Sequence, residues 1–261
     1  MFELQYFLIG MIQGVTEFLP ISSSGHLVLF AQLTNWGDQG LFTDIAVHFG
    51  TLVAVIIYLR QEIINIFKNF FQYKSFQDII IFKIIFATLP AIVVGFFIYN
   101  YIEDYFRSLE VVAWASIFFG IILFFADKKK SIHSSWNEIN FKHALIIGIF
   151  QILAFIPGAS RSGVTITGAR FLGLSRRNAA IFSMLLSIPI ILASLILSLF
   201  DILKNTGDLL NINQSLFASV TAFFTAIISI HFMMNVIQKT NFNLFIFYRI
   251  SLGFVLLYFY A

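Results

Sequence analysis

Long apolar segments separated by short polar ones run along the whole chain. Six of them hold, or nearly hold, the roughly 20 residues that an α-helix needs to cross a lipid bilayer. These predicted spans lie at residues 43–59, 79–100, 111–126, 178–200, 215–237 and 242–260. Two further apolar regions, 4–33 and 143–174, are interrupted near their middles by proline, glycine and serine. The pattern therefore predicts six spanning helices and two broken segments.

The breaks read "LPISSSGH" at 19–26 and "IPGASRSG" at 156–163. Each has an apolar arm on either side, and neither arm is long enough to cross a bilayer alone. Backbone without internal hydrogen bonds is tolerated at membrane depth only where protein or a wet cavity surrounds it. We therefore predict that each broken region is a re-entrant hairpin, with two short helices that meet at a buried loop.

The two broken regions resemble each other at a constant offset of 138 residues. The matched pairs are Gly10 and Gly148, Gln13 and Gln151, Ser22 and Ser160, Ser24 and Ser162, and Gly25 and Gly163. Each broken region is followed by three predicted spans. The chain is thus predicted to be one membrane domain, 1–261, built from two repeats at about 1–126 and 139–261. An odd number of spans per repeat inverts the second repeat relative to the first.

Charged residues in the loops provide a test of this layout, because cytoplasmic loops are enriched in Lys and Arg. One predicted side carries Arg60, Lys68, Lys74, Lys128, Lys129, Lys130, Lys142, Arg176, Arg177 and Lys239. The other carries Asp38, Glu103, Asp104, Asp201 and Asp208, with only Arg107 and Lys204. We expect both termini outside the cytoplasm and hairpins that enter from opposite sides. Broken helices of inverted repeats commonly converge on a binding site near the midplane.

Composition supports an all-α polytopic membrane protein. Apolar residues make up 59% and charged residues 11% of the chain, against about 25% charged residues in soluble domains. The formal net charge of +3 comes from loop residues, and no basic segment with interleaved aromatics predicts a nucleic-acid partner. The sequence has no cysteine, which excludes disulfides, thiolate metal sites and cysteine nucleophiles.

The second break places an arginine among hydroxyl groups. Arg161 lies between Ser160 and Ser162, and Thr165 follows where the second arm begins. A helix N-terminus offers free N–H groups and a positive dipole end to an anion, and a guanidinium can bind phosphate with two donors. These four residues are predicted to bind a phosphate or another oxyanion. The alternative is an arginine that snorkels to the interface beside capping serines.

The first break supplies groups of complementary chemistry. Glu17 can bind a divalent cation or act as a base, and His26 can serve as base, acid or nucleophile. Ser23 can attack phosphorus if a base lies beside it. Gln13 is four residues before Glu17, on the same helical face, and is predicted with it as a weak metal ligand, the alternative being a pairing of its amide with backbone. A packing histidine and helix-capping serines are the bland alternatives.

Three other polar residues in the predicted spans have open roles. Asp44 and His48 are four apart on one helical face and either support a site or pair with each other. Arg249 in the last span needs a partner that the sequence does not name.

The quoted motifs resemble a known family. "QGVTEFLPISSSGH" and "PGASRSGVT" look like the two signature motifs of the bacterial undecaprenyl-diphosphatases of the bacitracin-resistance type. The resemblance extends to "FTDIAVHFGTLVAV", "FSMLLSIPII" and "FYRISLG", and so covers essentially the whole chain. It implies a plasma-membrane hydrolase that removes one phosphate from undecaprenyl diphosphate, recycles this carrier lipid for cell-wall synthesis and confers bacitracin resistance. It also implies dependence on Mg²⁺ or Ca²⁺.

The resemblance assigns roles residue by residue. The family's functional residues fall on Glu17, Ser23, His26, Ser160, Arg161 and Thr165. Gln13 departs from the many members that have a second glutamate there, which leaves Glu17 as the stronger metal ligand or base. Two schemes stay open: attack by Ser23 or His26 with a phospho-enzyme, or water activated by Glu17 or His26.

Two other classes were weighed. Lipid phosphatases of the acid-phosphatase type are rejected, because the later histidine with its partnering aspartate is missing. A lipid transporter remains the alternative, since inverted repeats and broken helices are common in transporters. The expected partners are the membrane and a polyprenyl diphosphate lipid, and a homodimer is left open.

Overall fold

The structure, a computed structural model, describes residues 2–34, 36, 40–70, 79–105, 108–133, 135–204 and 212–260. Within these ranges the chain forms eleven α-helices and no strand. The helices are α1 Phe2–Thr16, α2 Ser23–Leu33, α3 Leu41–Tyr58, α4 Arg60–Phe70, α5 Ile80–Tyr105, α6 Leu109–Asp127, α7 Phe141–Ile152, α8 Arg161–Phe171, α9 Arg176–Lys204, α10 Ile212–Lys239 and α11 Asn243–Tyr260. Four of the charged residues used to assign sides, Asp38, Lys74, Arg107 and Asp208, lie outside the described residues.

All six predicted spans are confirmed. Helices α3, α5, α6, α9, α10 and α11 are long and apolar enough to cross a membrane, and their ends fall within a few residues of the predictions. Large apolar side chains such as Phe96, Phe97 and Phe247 are exposed on their surfaces, as expected of helices that face lipid. The protein is therefore an all-α, multi-pass membrane protein.

Both broken regions consist of two short helices around a helix-free tip. Helices α1 and α2 flank the first tip, and α7 and α8 flank the second. The first arms pack closely on spans of the other half: a Cβ at Gly10 would lie 2.3 Å from the Ala218 carbonyl oxygen of α10. Likewise a Cβ at Gly148 would lie 2.4 Å from the Ala87 carbonyl oxygen of α5. The repeat boundaries, the inversion of the second repeat and the sides of entry stay predictions.

Helix α4 was not predicted, since Arg60 and Lys68 were assigned to a loop. Its eleven residues include both polar and apolar side chains, and Ile66 is buried while Phe67 is exposed. Such a short amphipathic helix has too few apolar residues to register as a span. A search for long apolar runs therefore passes over it.

Helix α8 lies inside the protein. Every residue from Ser162 to Arg170 is buried, although the helix is much less apolar than the spans around it. It packs against α6, α7 and α9. Protein rather than lipid therefore surrounds this arm, which is the condition under which polar backbone and serine hydroxyls are tolerated in a membrane domain.

Candidate active site

Each tip ends in a serine that caps the following helix from an unusual backbone conformation. Ser22 and Ser160 have φ values of 74° and 69°, and they are the only non-glycine residues with positive φ in the described part of the chain. Their hydroxyls accept hydrogen bonds from the backbone N–H of Gly25 at 3.4 Å and of Gly163 at 3.1 Å. Such conformations cost about 1–3 kcal/mol and persist only where the surroundings enforce them. The first turns of α2 and α8 are thereby fixed at the tips.

The two tips contact each other directly. The backbone N–H of Gly158 donates to the Ser22 hydroxyl at 3.2 Å. In the other direction, the Ser162 hydroxyl donates to the Leu19 carbonyl at 2.8 Å. The N-termini of α2 and α8 are consequently held side by side, although 136 residues separate Ser22 from Gly158.

Arg249 of α11 fastens both tips. Its side chain is 1% exposed and donates to the carbonyls of Pro20 at 3.3 Å, Gly158 at 3.0 Å and Ala159 at 2.8 Å. The partners that the sequence did not name are thus backbone carbonyls from both broken regions. Because a guanidinium has five fixed donors, it can satisfy several such acceptors at once.

Glu17 is the centre of a polar cluster that joins the two motifs. Its Oε1 accepts from Arg161 Nη2 at 2.7 Å. Its Oε2 accepts from Gln13 Nε2 and from the Ser23 hydroxyl, both at 2.9 Å. The carboxylate therefore bridges a serine on the first turn of α2 and an arginine on the first turn of α8.

Arg161 is held in place by further contacts. Its Nη1 donates to the Ser183 carbonyl at 3.3 Å, and its guanidinium lies 5.7 Å from the centre of the Phe18 ring. The Thr165 hydroxyl donates to the Arg161 carbonyl at 2.8 Å and lies 2.6 Å from the Ser183 hydroxyl. Thr165 and Ser162, two of the predicted phosphate ligands, are buried and fix the start of α8 in this state.

A cavity of 310 Å³ opens beside this cluster. Its polar lining consists of Glu17, Ser22, Ser23, Ser24, His48, Gln151, Ser160 and Arg161, with Ser194 among the apolar residues of α9. Its apolar walls come mainly from α5 and α9, including Ile92, Phe96 and Leu197. The cavity therefore combines apolar walls with an anion-binding end, where two helix N-termini and an arginine meet.

Comparison with known protein families agrees with this arrangement. The family model described as bacitracin resistance protein BacA matches residues 6–255, almost the whole chain. The chain belongs to the BacA family. BacA proteins are undecaprenyl-pyrophosphate phosphatases, which are hydrolases. The family resemblance drawn from the two motifs is confirmed, and with it a multi-pass bacterial membrane protein.

The histidine of the first BacA motif does not line the cavity in its described part. His26 Nδ1 lies 2.6 Å from the Ser22 carbonyl, and Nε2 lies 2.7 Å from the Tyr248 hydroxyl. The two rings are stacked, with centroids 5.7 Å apart. Both ring nitrogens thus have partners outside the cavity lining, and a catalytic role of His26 stays a prediction.

His48 lies beside the BacA glutamate instead. Its Nε2 is 4.0 Å from Glu17 Oε2, while Nδ1 is 2.7 Å from the Asp44 carbonyl. Of the two readings left open for this pair, the geometry favours support of the site. The i, i+4 spacing pointed to the pair, but only the fold shows that its histidine reaches Glu17.

The polar atoms around Glu17 bear on whether a metal ion can bind there. Among the described residues no three His, Cys, Asp or Glu side chains cluster as a metal site. Gln13 Oε1, however, is buried and has no hydrogen-bond partner within the described part of the chain. Mg²⁺ is commonly held by one or two carboxylates plus substrate phosphates. An unpaired amide oxygen next to one carboxylate is compatible with that mode in a BacA protein.

Proposed function

We propose that this chain hydrolyses undecaprenyl diphosphate to undecaprenyl phosphate and inorganic phosphate at the cavity beside the α2 and α8 tips. The carrying observation is that Ser23 and Arg161, each on the first turn of its helix, bind the same Glu17 carboxylate. This arrangement gives a nucleophile, a base and a phosphate-binding cation within one hydrogen-bonded cluster. Membership of the BacA family supports the same reaction.

The cavity suits both ends of a prenyl diphosphate. The N-termini of α2 and α8 and the Arg161 guanidinium favour the diphosphate through N–H donors and positive charge. The walls from α5 and α9 favour the prenyl chain. Arg161 is paired with Glu17 at 2.7 Å, and phosphate oxygens would take over part of that pairing.

The chemistry follows from the Glu17 contacts. Ser23 Oγ attacks the terminal phosphorus while its proton passes to Glu17 Oε2, to which it is already hydrogen-bonded at 2.9 Å. The bond from this phosphorus to the bridging oxygen breaks, and prenyl phosphate leaves with the bond's electron pair and takes the proton from Glu17, which is a carboxylate again. Water, deprotonated by Glu17, then attacks the phosphoserine, and Ser23 leaves with its proton restored as inorganic phosphate departs. Arg161 stabilises negative charge on the phosphoryl oxygens in both steps.

Neither His26 nor the expected metal ion takes a direct part in these two steps. His26 is engaged by Ser22 and Tyr248, so Glu17 rather than His26 is proposed as the base. Glu17 and Gln13 would hold a divalent cation, Mg²⁺ or Ca²⁺. When bound, the cation would neutralise charge on the diphosphate. The alternative to the phosphoserine is direct attack on the terminal phosphorus by a water that Glu17 or His26 activates.

In the cell the protein would act in the bacterial plasma membrane, where the reaction would recycle the carrier lipid for peptidoglycan synthesis. The excess of basic residues in one set of loops supports extracytoplasmic termini. This orientation is tested by introducing a cysteine near each terminus of the protein and treating intact cells with a membrane-impermeant thiol reagent. Labelling from outside is expected, and labelling only after lysis contradicts it.

Phosphate release by purified protein separates the phosphatase from a transporter. In detergent, where transport has no meaning, the wild type should release phosphate from a prenyl diphosphate, and Arg161→Ala should not. Thr34→Ala, at the C-cap of α2 and away from the described cavity lining, serves as a folded control with normal activity. Absence of phosphate release by folded, lipid-binding wild-type protein would favour the transporter.

A further inference from the structure

Gln151 is a buried amide without a protein partner. It lies at the end of α7, is 2% exposed, and lines the same cavity as Glu17 and Arg161. Neither its Nε2 nor its Oε1 has a hydrogen-bond partner within the described ranges of the chain. Buried polar groups are nearly always satisfied, so an amide with both ends unpaired in a cavity wall indicates a ligand that pairs with it.

The matching residues in the first half of the chain explain why the Gln151 amide has no protein partner. Gln13 occupies the matching position, 138 residues earlier, and its Nε2 donates to Glu17 at 2.9 Å. The position that matches Glu17 in the second half is Phe155. A Cβ at Gly95 would lie 2.6 Å from this ring, so Phe155 packs against α5. Gln151 therefore has an apolar ring where Gln13 has a carboxylate.

The surroundings of Gln151 define the chemistry of its ligand. The cavity is cationic at Arg161 and is lined by the first residues of two helices, which selects an oxyanion. The helix that carries Gln151 packs against α5, which supplies part of the apolar wall. The Gln151 amide adds a directional, uncharged donor to this cavity.

We propose that Gln151 is a specificity-determining residue that donates from Nε2 to the phosphate group remaining on the lipid. This proposal rests on the proposed phosphatase function and adds a residue that selects a diphosphate over a monophosphate. Arg161 and Ser23 bind the terminal phosphate, and Gln151 binds the inner one. A ligand with one phosphate cannot satisfy both positions at the same time.

The test compares Gln151→Met with the wild type in detergent, using farnesyl diphosphate as substrate. Loss of one hydrogen bond to a charged phosphate should raise KM about tenfold or more, with kcat changed less than about twofold. The melting temperature of the ligand-free protein should stay level or rise, because an unpaired buried amide has been removed. Gln238 is an exposed residue at the end of α10, and Gln238→Met should leave KM, kcat and the melting temperature unchanged.

Binding measurements keep this proposal separate from the phosphatase proposal. The wild type should bind a non-hydrolysable methylene-bridged farnesyl diphosphate more tightly than farnesyl phosphate, and Gln151→Met should lose most of that preference. Wild type that binds the analogue without releasing phosphate from the substrate overturns the phosphatase proposal alone. An unchanged KM and an unchanged preference in an active Gln151→Met variant overturn the role of Gln151.

Two results guard against a purely structural effect. A Gln151→Met variant whose ligand-free melting temperature falls clearly would mean that the amide has a protein partner, and this overturns the proposal. Gln151→Glu places a negative charge beside the diphosphate and should raise KM at least as much as Gln151→Met. A smaller increase than that of Gln151→Met would also overturn it.

Discussion

Replacing Glu17 with glutamine removes the proposed base while preserving the size of the side chain. Glu17 and Arg161 are joined at 2.7 Å, and their side chains are only 7% and 14% exposed. The glutamine oxygen can still accept from Arg161, so the loss is that of a charge-assisted hydrogen bond, about 2 kcal/mol of unfolding free energy. Loss of general-base catalysis should lower kcat about 100- to 10,000-fold.

The assay is phosphate release from a prenyl diphosphate in detergent, with thermal melting of the same samples. Glu110→Gln is the matched control, since Glu110 is an exposed carboxylate on the first turn of α6. It should keep wild-type kcat and KM. A folded Glu17→Gln variant that retains more than about a tenth of the wild-type kcat would refute Glu17 as the base, because even weak general-base catalysis contributes about 100-fold.

Three further variants probe other parts of the account. Ser23→Ala should reduce kcat at least about 100-fold with little change in melting temperature; rapid-quench radiolabelling should put terminal phosphate on the wild type but not on the variant, and full activity of the variant would exclude the serine route. Arg249→Met leaves three carbonyls without their donor and should cost about 3 kcal/mol or more of unfolding free energy; an unchanged melting temperature would contradict its fastening role. Gly148→Ala brings a Cβ to 2.4 Å from the Ala87 carbonyl oxygen and should cost about 1–3 kcal/mol, measured by melting, with a neutral result arguing against the close α5–α7 contact.

The spans and broken regions could be predicted because their signals are local. A run of about 20 apolar residues has few alternatives to a spanning helix, and Pro20 or Gly158 inside such a run marks a break. Helix α4 was missed because its amphipathic pattern is short and polar. Local apolar content thus accounts for the membrane fold but not for helices outside the long apolar runs.

The composition of the site was predictable in part. The pairing of Gln13 with Glu17 follows from their i, i+4 spacing, and the family motifs pointed to Ser23 and Arg161. The contact between Glu17 and Arg161 joins residues 144 apart, and no local pattern encodes it. The same holds for the carbonyl partners of Arg249.

The histidines show the limit most clearly. The motif contains His26, yet its ring turns toward Tyr248 of α11, which lies 222 residues away. His48 lies in the segment FTDIAVHFGTLVAV, to which the resemblance assigns no catalytic role, and its Nε2 lies 4.0 Å from Glu17 Oε2. Which histidine faces the cavity depends on how α2, α3 and α11 pack, and this is a tertiary property. Gln151 was noticed only as a repeat match, since a missing partner cannot be read from sequence.

The most direct test of the site is an experimental structure with a methylene-bridged prenyl diphosphate bound. The account predicts the terminal phosphate within about 3.2 Å of Arg161 and Ser23, with the prenyl chain between α5 and α9. The account is contradicted if the diphosphate lies elsewhere, for example in the basic cavity lined by Lys128, Arg176 and Arg177, while Arg161 remains paired with Glu17 alone.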